Sequence, residues 1–110
     1  MKVKEFDPIS FGILTVSQYV SQDEYEEIQT FLLRKKEYLQ RDYDIIFSYT
    51  FRAEELIYYI AKEILTKDGY QWAGVSKIIP YPLLSTTKLQ FDINLAVKEF
   101  NDFVTEKEIS

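Results

Sequence analysis

Residues 51–69 read FRAEELIYYIAKEILTKDG, and the structure of this segment decides the fold class of the chain. Its apolar residues recur at helical spacing, at Leu56, Ile57, Ile60, Ile64 and Leu65. The spacing predicts a helix over residues 51–68 with one buried face. Gly69 follows at the position where a left-handed glycine commonly ends a helix.

Upstream, residues 22–41 carry the clearest helical signals of the sequence. Ser21 and Glu24 have the spacing of a capping box, and Val20 and Tyr25 that of a hydrophobic staple. One apolar stripe follows, made by Tyr25, Ile28, Phe31, Leu32, Tyr38 and Leu39. Acidic residues come first and basic residues later, which matches the helix dipole.

The remaining segments are harder to assign. Phe47, Tyr49 and Phe51 alternate with polar residues, so 43–51 favours a strand or an extended connection. The Pro80-Tyr81-Pro82 elbow lies within 70–84, where no regular pattern is evident.

Near the C-terminus the spacing of the apolar residues changes from that of a strand to that of a helix. Leu89, Phe91, Ile93 and Leu95 alternate with polar residues, which is typical of a strand near 87–93. Residues 93–107 then show helical spacing, with Asp92 as a possible cap. Residues 9–20 are apolar and fit either a helix or a short buried strand.

Together these patterns predict a mainly α fold in a single domain, 1–110. Its three main helices would span about 22–41, 51–68 and 93–107. The alternative is an α+β fold in which short strands near 43–51 and 87–93 pair.

The composition excludes several kinds of site. The chain has no cysteine and no histidine, so disulfides, thiolate or imidazole metal sites and histidine-dependent triads are impossible. The net charge of −5 argues against broad contact with nucleic-acid phosphates. No glycine-rich phosphate loop is present, and we expect neither a cofactor nor a metal.

Carboxylates are the only plentiful reactive groups, but the candidate pairs are explained as solvated or capping acids. Adjacent glutamates such as Glu54 and Glu55 point in different directions on a helix, so they form no ready-made catalytic dyad. We therefore expect a protein that is not an enzyme. The basic run Arg34-Lys35-Lys36 is likewise interpreted as a solvated helix face.

The chain lacks a run of about 18 apolar residues, so no membrane span is expected. The N-terminal MKVKEFDPIS lacks the apolar core of a signal peptide. We expect a cytoplasmic protein, either in the host cytoplasm or in a virion if the chain is encoded by a phage.

Partner-binding candidates are of two kinds. Acidic residues could meet a basic protein surface, namely Asp23, Glu26, Glu27, Asp42 and Asp44. Aromatic residues could act as anchors, namely Tyr58, Tyr59, Trp72 and Tyr81.

The predicted function is a non-catalytic protein–protein interaction module. Small, acidic, aromatic-rich chains suit accessory proteins such as inhibitors, immunity factors or assembly proteins, including those of phages or other mobile elements. They act by sterically covering a partner. Two alternatives remain: a structural component that self-associates as a homo-oligomer, and an acidic nucleic-acid mimic that blocks a nuclease or DNA-binding protein.

Overall fold

The computed structural model describes residues 16–109, which form two long helices and a three-stranded antiparallel sheet. The interpretations of residues 1–15, including most of 9–20, lie outside the described residues. The elements follow one another as α1 (Gln22–Tyr43), β1 (Ile46–Phe51), β2 (Glu55–Thr66), β3 (Gly69–Pro80), a 3-10 turn (Tyr81–Leu83) and α2 (Thr86–Lys107). The fold is therefore α+β, and the prediction of a mainly α fold with three helices is wrong.

The prediction of a mainly α fold is wrong because of one segment, the one that decides the fold class. Residues 51–68 do not form a helix, because Glu55–Thr66 is the central strand of the sheet. This strand is rich in β-branched and aromatic residues, which favour a pleated surface. Leu56, Tyr58 and Ile60 alternate towards the core and are at most 1% exposed.

Gly69 does adopt a left-handed conformation, but it closes a hairpin and not a helix. Its φ is +103°, and it follows the two-residue turn Lys67-Asp68 between β2 and β3. Thr66 fixes this turn, since its hydroxyl donates to the Gly69 carbonyl (2.9 Å) and accepts from the Asp68 amide (3.1 Å). A turn followed by a left-handed glycine is a common three-residue hairpin connection.

The segment 70–84, for which no regular structure was predicted, is mostly a strand. β3 pairs with β2 along its whole length, from Gly69 opposite Thr66 to Pro80 opposite Glu55. Pro80 ends the strand, and the 3-10 turn leads into α2.

The third predicted helix exists but begins earlier than residue 93. Ser85 caps α2 by accepting a hydrogen bond from the Lys88 amide (3.1 Å), so residues 87–93 are helical and the predicted strand there is wrong. Leu89 and Ile93 are fully buried at i and i+4, whereas Phe91 between them is 65% exposed. Apolar residues on two sides of this helix imitate the alternation of a strand.

The first helix matches its prediction and extends to Tyr43. Ser21 accepts from the Glu24 amide at 3.1 Å, which is one half of the predicted capping box. The strand expected near 43–51 is present as β1, and Asp44, with φ of 57°, makes the turn from α1 into it.

Both helices pack on one face of the sheet, α1 chiefly against β1 and α2 against β2 and β3. Side chains from both helices, all three strands and the 3-10 turn form one core. Its largest fully buried members are Phe47, Tyr58 and Tyr81. Within residues 16–109 no helix is long and apolar enough to span a bilayer.

Candidate functional site: the open face of the sheet

The helices cover one face of the sheet, and the opposite face is the most unusual surface among the described residues. We call it the open face. It comprises the even-numbered residues of β1 and β3 and the odd-numbered residues of β2, which point away from the helices. Its large apolar side chains are widely exposed: Tyr70 by 71%, Trp72 by 61% and Ile78 by 55%. Tyr59, Ile46 and Leu65 add 42%, 41% and 39%.

These six side chains expose on the order of 600 Å², the upper end of the largest apolar patch on a typical monomer. A patch of that size commonly marks an interaction site. It lies on regular strands, so its side chains have fixed directions and spacing.

The backbone at Gly74 shapes the centre of the open face. The Tyr59 ring lies across this glycine, and a Cβ atom there would overlap the Tyr59 hydroxyl. Trp72 precedes Gly74 by two residues in the same strand and lies on the same face. The missing side chain at Gly74 thus lets an aromatic ring lie close against β3.

Charge is sparse on this surface. Of the strand residues, all of which the structure describes, the open face carries only Glu55 and Glu63 as charged groups. No lysine or arginine lies on it, so it lacks the cations that hold a nucleic-acid backbone. Aromatic rings without basic neighbours suit a protein surface better than a nucleic acid.

Both outer strands, β1 and β3, have an edge with which no described element pairs, and the edge of β3 is the longer, at twelve residues against six. β3 is an outer strand and pairs only with β2. The backbone N–H and C=O groups on its other side form no hydrogen bond with the backbone of residues 16–109. Lys77 is its only charged residue. Long edge strands with few charges are templates for pairing with another strand.

The four predicted aromatic anchors are divided between the open face and the core. Tyr59 and Trp72 lie on the open face. Tyr58 and Tyr81 are each 1% exposed, so their rings offer no surface to a partner.

The two buried tyrosines have titration properties that follow from their position. Burial, with the Asp92 carboxylate nearby, raises the pKa of Tyr58 to about 12. Burial also raises the pKa of Tyr81 to about 12, and its hydroxyl donates to the Arg52 carbonyl oxygen. Both rings are buried in the core, so they serve packing.

The five predicted acidic residues do not form one surface. Asp23 and Asp42 lie near opposite ends of α1, about 28 Å apart along the helix axis. Glu26 accepts from the Gln22 side chain (3.0 Å) and Glu27 from the Thr86 hydroxyl (3.2 Å).

At the other end of α1, both aspartates have local partners. Asp42 pairs with Arg41 at 2.9 Å, and this hydrogen bond lowers the pKa of its carboxyl group. Asp44 accepts from the Gln40 side chain at 3.3 Å. The fold thus brings Asp23, Glu26 and Glu27 to one groove and leaves Asp42 and Asp44 at the other end of α1, and a binding role for the five acids stays a prediction.

Glu24 has a role that the sequence did not indicate. Its carboxylate accepts from the backbone amide of Thr86 at 3.0 Å, instead of returning to Ser21. A negative charge therefore caps the start of α2, where the helix dipole is positive. The partner is 62 residues away in sequence, so local spacing carries no signal of this contact.

Sequence reasoning also missed Tyr70, Ile78, Leu65 and Ile46 as surface residues. The signal was available in β3, where Tyr70, Trp72 and Ile78 share one parity of the strand. It was overlooked because the Pro80-Tyr81-Pro82 elbow made the whole segment look irregular.

No group of three or more acidic residues within 16–109 is arranged to hold a metal ion. The groove between α1 and α2, about 720 Å³, is an open surface feature lined by Asp23, Glu26, Glu27, Arg34 and neighbouring side chains.

No family model, no curated protein and no solved structure matches this chain.

Proposed function

We propose that this chain is a non-catalytic protein-binding domain that engages its partner through the open face. The supporting observation is the set of exposed aromatic and aliphatic side chains, led by Tyr70 and Trp72, on a sheet face that the two helices leave uncovered. Exposing them costs free energy in water, and a partner that covers them recovers it.

The residue types support a protein partner. Tyrosine and tryptophan are enriched at protein interfaces because they provide large contact areas with few rotatable bonds. Charged residues are depleted at interface centres, and the middle of the open face has only Glu63. The partner surface we propose for this face is therefore apolar and not basic. As an accessory or assembly protein, the chain would act by covering that surface.

Site-specific photocrosslinking in the native host tests this proposal. Tyr70, 71% exposed on the open face, is replaced by benzoylphenylalanine, and the matched control carries the same group at Phe91, 65% exposed on α2. We expect protein adducts from position 70 that are absent or much weaker from position 91. Adducts at position 91 alone, or none at either position, would contradict the proposal.

A further inference from the structure

We propose that this chain also pairs with a second copy of itself, antiparallel along the outer edge of β3. This inference goes beyond the proposed function, because edge pairing sets two open faces side by side and covers neither of them. Two three-stranded sheets would join into one six-stranded sheet across a two-fold axis. Each open face would then continue into that of the other copy.

The backbone of β3 provides the first argument. Its outer edge presents unpaired N–H and C=O groups along twelve residues, a length of about 40 Å. Natural proteins usually protect such an edge with charges, proline, bulges or a covering element. Here Lys77 is the single charge, Pro80 stands only at the end, and no element among residues 16–109 covers the edge.

The side chains of β3 are compatible with their own copies. With the two-fold axis at Gly74, Tyr70 lies opposite Ile78 of the second copy, and Trp72 lies opposite Ser76. Aromatic and β-branched residues make favourable cross-strand pairs. At the axis Gly74 lies opposite its own copy, so no pair of side chains has to be accommodated there.

The charged residues of β3 are also compatible with antiparallel pairing of two copies. Lys77 would face Gln71 of the second copy, so no like charges are opposed. The acidic groups that give the chain its net charge of −5 lie mostly on the helices and turns, and β3 itself carries none.

The surface area buried between the two copies indicates how tightly they would bind. The edge and its three exposed large side chains would bury on the order of 500 Å² per copy, the low end for a specific interface. We therefore expect a reversible dimer whose population rises with protein concentration, and not a permanent one.

Sedimentation velocity of the full chain over a concentration series provides the test, with two charge variants matched in residue type. The edge variant carries Ser76→Lys and Ile78→Lys on β3. The control carries Ser48→Lys and Ile46→Lys, on the same face but on β1 at the opposite edge. We expect the wild type and the control to dimerise, and the edge variant to have a dissociation constant raised at least about tenfold.

Circular dichroism and urea unfolding measure whether both variants remain folded. The emission of Trp72, the only tryptophan, gives a second readout, since dimerisation should shift it to the blue in the wild type and the control. A dimer that both variants weaken equally, or that the edge variant leaves intact, would overturn pairing through β3.

The two proposals fail in distinguishable ways. A chain that stays monomeric at every concentration but crosslinks to another protein from position 70 keeps the proposed function and loses the dimer paired through β3. A monomer that forms no adducts from position 70 loses both.

Discussion

The two faces of the sheet have similar residue types but opposite surroundings. On β2, Leu56, Tyr58 and Ile60 point towards the helices and are at most 1% exposed, while Tyr59 and Leu65 on the other side are 42% and 39% exposed. Side-chain chemistry therefore does not separate structural from surface residues in this strand; the position of the two helices does. Apolar residues on the covered face stabilise the fold, whereas those on the open face remain available to a partner.

The largest expected change in the free energy of unfolding comes from truncating an isoleucine side chain on each face. Ile60→Ala removes a fully buried side chain and should lower the free energy of unfolding by about 2–5 kcal/mol. Ile78→Ala, at a residue 55% exposed, should cost less than about 1 kcal/mol. Urea unfolding of both variants at low protein concentration measures the difference. Equal losses would show that the open face is as buried in the isolated chain as the covered one.

Alkaline unfolding tests the covered face through its tyrosines. The pKa of Tyr58 and that of Tyr81 are about 12 in the folded chain, against about 10 when unfolded. Below pH 10 both are protonated in either state, and their contribution to stability is fully present. As the pH rises from 10 to 12 the unfolded state loses these protons first, so stability falls by about 2–3 kcal/mol for each tyrosine.

Urea unfolding at pH 8 and near pH 12 measures that loss. Tyr58→Phe should reduce it, because the variant lacks a hydroxyl proton that the unfolded state loses first. A pH dependence that Tyr58→Phe does not alter would show that its hydroxyl is not protected by the core.

A smaller effect concerns the helices that cover the core side of the sheet. Glu24→Gln keeps the side-chain shape but removes the negative charge that caps α2 at Thr86, and should cost about 0.5–2 kcal/mol. Glu26→Gln, on the same helix and at an exposed side chain that accepts from Gln22, should change stability by less than about 0.5 kcal/mol. Thermal unfolding of the two variants ranks them. If Glu26→Gln costs as much as Glu24→Gln, the loss reflects net charge and not the cap.

The same comparison explains what could be predicted from the sequence. α1 was predictable because its signals are local: Ser21 caps it, and one apolar stripe faces the core. The end of α2 was predictable for the same reason, but its true start depends on Ser85, which was overlooked beside a misleading alternation.

β2 was mispredicted because both of its faces are apolar. Alternation of apolar and polar residues identifies a strand with one wet face, and ELIYYIAKEILT does not alternate in this way. Ile57 and Tyr59 on the open face fill the gaps between the buried residues, and the result imitates a helix that is apolar on most sides. The residues that hid the strand are thus part of the candidate site. The contact of Glu24 with Thr86 could not be predicted either, because it depends on how two distant segments pack.

Another small change in stability is the most informative for function. Tyr70→Ser with Trp72→Ser removes two rings from the open face, and the free energy of unfolding of the monomer should change by no more than about 1 kcal/mol, since both are mostly exposed. Dimerisation should weaken at the same time, because Tyr70 and Trp72 supply the cross-strand contacts at the β3 edge. Urea unfolding at low concentration and sedimentation over a concentration series separate the two effects. A loss of several kcal/mol would instead place these rings in the core of the single chain and remove the distinction between the two faces.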